Sequence, residues 1–389
     1  MNMRYSPPER TLAVHLIALL LLAIAHDGVA APTDTSPIAA DKGVAGPDGK
    51  TVWYDVALLG VEGRAFDDTE VYFDRLPARA HGVVRDAVWN LSRHSAGMCV
   101  RFVTDATHID VRWTLRSNQL AMPHMPATGV SGVDLYVRDD EGTWRWLAVG
   151  QPKTFPTNEQ QLVRELPPGR REYRLYLPLY NGVEEVQIGI PPGATLSRPP
   201  TYDADHAKPI VFYGTSITHG GCASRPGMAH VAILGRRFDR PTVNLGFSGN
   251  GRLETEVAQL MAEIDAAVFV IDCLPNVTAD VVRAQAEPTV AVLRAAHPDT
   301  PILLVEDRTY ANAFLVESQR ERNETSRAAL REVYERLKRA GDAHLYYLEG
   351  DRLLAPDGEG TVDGSHPTDL GFVQHADAFE AVLRPILGE

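Results

Sequence analysis

The 389 residues carry a net charge of −13, with 44% hydrophobic and 23% charged side chains. That length and composition suit a globular chain with two domains and ample buried core. The acid excess argues against nucleic acid or an anionic membrane as a partner, since either would repel it.

The chain opens with Arg4 and Arg10, then an apolar stretch from Leu12 to Ala25 broken only by His15. The small residues Gly28-Val29-Ala30-Ala31 follow and suit cleavage. Residues 1–31 therefore read as a cleavable signal peptide, too short for a comfortable membrane span. They predict a secreted or periplasmic protein with no membrane span after cleavage. Residues 32–49, rich in Ala, Pro, Asp and Gly, read as a flexible lead-in. Three cysteines, Cys99, Cys222 and Cys273, leave at least one unpaired in a monomer. A Cys222–Cys273 disulfide and free buried thiols both stay open.

From Thr51 to about Leu196 the period is that of strands. Ile109, Val111, Trp113 and Leu115 alternate with Asp110, Arg112 and Thr114. Val133, Leu135, Val137 and then Tyr173, Leu175, Leu177 repeat the pattern. Asp139-Asp140-Glu141-Gly142 and Asn181-Gly182 are turn signals. No helical pattern of useful length breaks in. Residues 50–198 are thus predicted to form an antiparallel β-sandwich. Trp144 and Trp146 alternate along one strand face, which suits core or interface rather than a sugar platform. Arg198-Pro199-Pro200 marks a linker.

From Lys208 onward short apolar runs alternate with amphipathic segments. Strands are expected at Ile210–Tyr213, Thr242–Leu245, Ala267–Ile271, Ile302–Val305 and Leu345–Tyr347. Helices are expected at Ala229–Phe238, Leu253–Ile264, Asp280–Ala296, Glu317–Arg339 and Leu370–Ile386. In the second of these, Leu253, Val257, Leu260, Met261 and Ile264 mark one apolar face. The alternation predicts a parallel sheet covered on both sides over residues 199–389. Ligands in such sheets bind at the C-terminal ends of the strands. Ser216, Gly249, Asn276 and Glu306-Asp307-Arg308 all follow strands, so the fold gathers them on one edge.

Those residues suit nucleophilic chemistry. A serine hydroxyl needs a base, and histidine titrates near neutrality. Asp363 lies three residues before His366, so one tight loop supplies both the base and the carboxylate that orients it. The N–H groups of Ser216 and Gly249, with the Asn276 amide, would supply three donors to a developing oxyanion. His219 and His230 flank the serine, but no His/Asp/Glu set has metal-ligand spacing, and no metal or organic cofactor is called for. Gly214-Thr215-Ser216-Ile217-Thr218 is not a G-x-S-x-G elbow, and the glycine-rich turn lacks the lysine of a P-loop. His124 and Met125 either reach the cleft or pack a domain interface. Glu306, Asp307 and Arg308 either bind substrate or form an ion pair.

Four segments resemble the sequence blocks of the SGNH (GDSL-like) hydrolase superfamily: Gly214-Thr215-Ser216, Ser248-Gly249-Asn250, Leu274-Pro275-Asn276 and Asp363-Gly364-Ser365-His366. The resemblance implies Ser216 as nucleophile, His366 as base, Asp363 as its orienter, and Gly249 with Asn276 as oxyanion donors. Thr215 departs from the Asp common beside the nucleophile, and Val277 from the Asp that often follows the third-block Asn. Gly132-Val133-Asp134-Leu135-Tyr136 resembles the G-x-D-L-Y motif of an N-terminal β-domain found in one SGNH esterase branch. The resemblance implies a jelly-roll-like sandwich followed by a three-layer α/β/α, flavodoxin-like hydrolase domain. The expectation is an exported serine esterase working through an acyl-enzyme on a small-molecule or glycan ester, with acetyl on carbohydrate favoured. Lipase-like, thioesterase or acyltransferase activity on the same residues is the nearest alternative. A carbohydrate-binding protein with a degenerate hydrolase domain is the alternative from another class.

Overall fold

The computed structural model describes residues 35–389. The expected signal peptide, residues 1–31, lies outside them. Among the described residues no helix is long and apolar enough to cross a membrane. The chain has an N-terminal domain of antiparallel strands and a C-terminal domain built on a parallel sheet.

The first ten strands are β1 (Val44–Ala45), β2 (Val52–Asp55), β3 (Cys99–Thr104), β4 (Ile109–Leu115), β5 (Val133–Arg138), β6 (Trp144–Gly150), β7 (Thr157–Val163), β8 (Arg171–Tyr176), β9 (Val183–Ile190) and β10 (Leu196–Ser197). They form two five-stranded sheets, in the orders β1-β2-β9-β4-β7 and β10-β3-β8-β5-β6. Alternation decides which side of each strand is dry. Val111 and Trp113 of β4 and Val186 and Ile188 of β9 share one core with Val100 and Phe102 of β3 and Tyr173 and Leu175 of β8. The Trp113 indole N–H finds the Ser131 carbonyl at 3.0 Å, so this large ring is buried without an orphaned donor.

Two expectations need correction here. Residues 37–45 do not hang as a flexible lead-in. Pro37 bridges Ser197, the Ile38 N–H meets the Leu196 carbonyl at 2.7 Å, and β1 pairs with β2. The first half also contains helices, α1 (Asp86–Ser92) and the single turn α2 (Ala127–Val130). Seven residues give too few repeats of a 3.6-residue period to stand out in the sequence. Both tryptophans on β6 stand at an interface as expected: the Trp144 indole N–H lies 3.4 Å from Asp239, and Trp146, though half exposed, donates to Asp134 at 2.9 Å and lies under the Arg225 guanidinium at 5.2 Å.

The C-terminal domain continues with α3 (Ser216–His219), α4 (His230–Arg237), α5 (Thr255–Met261), α6 (Ala279–Ala296), α7 (Glu317–Arg339) and α8 (Asp369–Leu387). Its strands are β11 (Ile210–Gly214), β12 (Thr242–Gly246), β13 (Val268–Asp272), β14 (Ile302–Val305) and β15 (Leu345–Leu348), all parallel, in the order β12-β11-β13-β14-β15. Successive residues of one strand feed opposite cores. Val211 and Tyr213 face α5, α6 and α7, while Ile210 and Phe212 face α4 and α8. Burial on both faces explains why these strands read as unbroken apolar runs. The order reverses around β11, so the ends of β12, β11 and β13 meet at the point where such sheets hold ligands.

Candidate active site

Ser216 is the first residue of α3, directly after β11. Its N–H therefore has no acceptor within the helix. Thr215 is the N-cap, its hydroxyl accepting the Ile217 N–H at 3.3 Å, and Gly220 closes the turn at φ 105°. The residue that departs from the common Asp is thus a capping residue, a job threonine does well.

The Ser216 Oγ lies 2.8 Å from His366 Nε2. The His366 Nδ1 lies 2.8 Å from Asp363 Oδ2. The other carboxylate oxygen accepts the Ser365 and His366 N–H groups at 3.0 and 2.8 Å. Gly364, at φ 85°, lets the loop turn tightly enough for this. Burial pushes the Asp363 carboxyl up, but the His366 N–H and ring more than offset this, and it sits below the ordinary carboxylate value. The carboxylate is therefore charged where it faces the ring.

Gly249 sits in the turn after β12 at φ 70°, with open space where a Cβ would be. Asn276 ends the single turn Leu274–Asn276 after β13. Its Nδ2 is buried with no acceptor in the protein, a donor held ready for something else. One residue the sequence missed is Gly251: a Cβ there would stand 1.9 Å from the Gly214 carbonyl oxygen. That close approach is what lets the β12 turn lie against the β11–α3 turn.

The N-terminal domain reaches this edge. The Tyr180 hydroxyl donates to the Ser216 carbonyl at 3.3 Å, and its ring stacks on His219 with centroids 4.2 Å apart. His219 Nε2 lies 2.7 Å from the Leu179 carbonyl, and burial pushes its pKa well below the ordinary value, so it is a neutral donor. Nothing in the sequence around Tyr180 marked it as part of the site. His124, left open between cleft and interface by the sequence, sits exposed at the tip of a hairpin closed by Met122 and Met125, its ring centroid 6.3 Å from that of His366.

Three other candidates are placed elsewhere. Met125 is buried in the core shared with Ile217 and Ala223, so it packs the interface rather than the cleft. Glu306 is buried and fully engaged by Arg331 at 3.0 Å, the Tyr347 hydroxyl at 2.6 Å and the Gly350 N–H at 2.8 Å. Arg308 is 1% exposed and bonded to Asp307 and Ser365, which leaves it no face toward a substrate. The three cysteines are free; burial first, and then the Asp363 charge, push the Cys222 thiol up to about 12. Among the described residues no His/Cys/Asp/Glu group could hold a metal ion.

Residues 207–384 match the GDSL-like Lipase/Acylhydrolase family, and residues 51–196 match the N-terminus of Esterase_SGNH_hydro-type. A solved protein of Bacteroides ovatus described as a GDSL-like lipase is 33% identical, covering 87% of this chain and 98% of its own, with TM-score 0.81. The chain belongs to the GDSL-like lipase/acylhydrolase family and is an SGNH-type ester hydrolase. Two more distant structures share the fold. A salicylyl-acyltransferase from a tetracycline biosynthetic pathway is 19% identical over 90% of this chain and 98% of its own, TM-score 0.67. A family two carbohydrate esterase from Clostridium thermocellum, solved with cellohexaose, is 17% identical over 75% and 93%, TM-score 0.53. No curated protein matches the chain.

Proposed function

We propose that the protein is an exported serine esterase that removes short acyl groups, chiefly acetyl, from carbohydrate through an acyl-enzyme. The observation that carries this reading is the relay from Ser216 Oγ to His366 Nε2 to Asp363, each step 2.8 Å. In this reading Ser216 passes its proton to His366 as it attacks the ester carbonyl carbon. Asp363 fixes the ring so that Nε2 is the basic nitrogen and balances the imidazolium. The Ser216 and Gly249 N–H groups and the unpartnered Asn276 amide receive the oxyanion. His366 then protonates the leaving alkoxide, with His124 at the edge where that alcohol departs. Water, activated by the same histidine, frees the acid.

The exported location rests on the expected signal peptide, and the glycan on the family two carbohydrate esterase among the structural neighbours. The reading takes residues 50–198 as a jelly-roll-like β-sandwich domain and 199–389 as a flavodoxin-like hydrolase domain. Two face-to-face antiparallel sheets support the first, and the strand order β12-β11-β13-β14-β15 supports the second.

Hydrolysis of p-nitrophenyl esters from acetate to long chains, by wild type and Ser216→Ala in parallel, tests it. Turnover should fall steeply beyond acetate or butyrate, and Ser216→Ala should lose at least about 10³-fold in kcat. Near wild-type rates in the variant would refute the mechanism, and a preference for long chains would make the enzyme a lipase instead.

A further inference from the structure

The loop that carries Asp363 and His366 stands at the surface. The side chains of these two residues are 46% and 28% exposed, and before α8 begins at Asp369 the loop is closed on itself by a single bridge between Thr361 and Pro367, with the Val362 N–H 2.9 Å from the His366 carbonyl. Its own turn explains the Asp363–His366 contact but not why the loop as a whole stays over Ser216. The clamp comes from beneath. Arg308 donates from Nε to the Ser365 carbonyl at 3.2 Å and from Nη2 to the Ser365 hydroxyl. The Ala311 N–H adds a bond to the Gly364 carbonyl at 2.9 Å.

Arg308 is itself immobilised. Its Nη1 pairs with Asp307, its guanidinium lies 3.9 Å over the Tyr310 ring, and its carbonyl accepts the Asn323 amide at 2.9 Å. The network then runs to the other half of the site. The Tyr310 hydroxyl meets Arg322 Nε at 3.2 Å, and Arg322 Nη2 donates to the Pro275 carbonyl at 2.7 Å, one residue before Asn276. One chain of groups, buried at Arg308 and half-buried at Tyr310 and Arg322, therefore grips both the loop with the histidine and the turn with the third oxyanion donor.

We propose that Arg308 is a positioning residue which, through Tyr310 and Arg322, fixes the Asp363–His366 loop against the Asn276 turn. This rests on the reading of Ser216 and His366 given above. Only a planar fork can hold a carbonyl, a hydroxyl and a carboxylate in one plane, so lysine is a poor substitute. A small ester binds about as well to a loosened site as to a rigid one, but the transition state needs base and oxyanion donors aligned together. The loss therefore falls on kcat rather than KM.

The test is steady-state kinetics on p-nitrophenyl acetate with Ser365→Ala, Arg308→Met, Arg308→Lys, the double Arg308→Met/Ser365→Ala and Tyr310→Phe, each with its thermal midpoint. Misplacement of this kind costs up to about 10²-fold in rate, so Arg308→Met should approach that loss in kcat, with KM within about twofold. Arg308→Lys should recover only part. Ser365→Ala and Tyr310→Phe should each lose about 3- to 10-fold by removing one link. The double variant should be no worse than Arg308→Met alone, because both changes cut the same connection. Should Arg308→Met fail to fold, Ser365→Ala and Tyr310→Phe decide, since each removes only one hydroxyl. Retained kcat in the folded variants, a loss confined to KM, or additive losses in the double variant would overturn the proposal. Absence of Ser216-dependent turnover in the wild type would instead remove the reading on which it rests.

Discussion

Asp272 ends β13 directly across from Gly214, buried, with the Thr218 hydroxyl donating to Oδ2 at 2.9 Å. Burial, with the Asp307 charge adding, pushes its carboxyl up to about 7 against an ordinary value of 3.8. The folded protein therefore keeps a proton that the unfolded chain releases. Stability from this group is fully present below about pH 4 and is lost as pH rises through about 7. Asp272→Asn keeps the shape and removes the titration. Its thermal midpoint should match wild type near pH 4 and exceed it at pH 8, a difference that scans at several pH values would read directly. A constant offset across the range would show that Asp272 is charged when folded. The sequence hid this residue, since an aspartate closing an apolar strand looks like an ordinary strand end. Ser216, Asp363 and His366 were legible because their types, order and placement after strands coincide. The job of Arg308 was not, because a charged triplet at a strand end says nothing of where a long side chain is buried.

The turns at the strand ends separate two reasons for glycine. Gly249 needs its positive φ, whereas Gly251 needs the space against the Gly214 carbonyl. Gly249→Ala should cost about 1 kcal/mol, the strain of a left-handed residue. In Gly251→Ala the new Cβ would meet only backbone of Gly214 and Thr215, with no side chain to move aside. It should cost about 1–3 kcal/mol as overpacking, and also lower kcat by shifting the turn that carries Ser216. Urea denaturation beside ester turnover would distinguish them; equal, small losses in both variants would mean the turns can separate. At this scale the sequence was informative wherever an element was long or apolar. The helix expected at Glu317–Arg339 has those bounds, as does the strand at Ile302–Val305. The apolar face expected at Leu253, Val257, Leu260, Met261 and Ile264 is buried throughout. Gly251 escaped notice because close approach is a property of two turns, and the sequence shows each alone.

The sequence marked a linker at Arg198-Pro199-Pro200, yet the two halves are joined by more than that. Phe66, Leu76, Val84, Val88 and Trp89 belong to the same core as Val243, Leu245 and Phe247. Asp134 of the Gly-x-Asp-Leu-Tyr motif is buried and accepts Arg225 at 2.8 Å and the Gly227 N–H at 2.9 Å, so the motif is an interface device. Arg75 is buried with four carbonyls and no carboxylate: Leu91 and His94 on its own side, Asn244 and Gly246 at the end of β12 on the other. Burial alone lowers its guanidinium to about 9, so it remains a cation at neutral pH. Arg75→Met would leave those carbonyls unpaired and should cost about 3 kcal/mol. The architecture also predicts how the loss would look. All five tryptophans lie between Trp53 and Trp146, so fluorescence reports the first half, whereas ester turnover reports the second. In urea the two signals should fall together in the wild type, and together again, at lower urea, in Arg75→Met. If turnover survived the fluorescence transition, the hydrolase half would stand alone, and Tyr180, His124 and the Arg75 clamp would be accessories rather than parts of one folding unit.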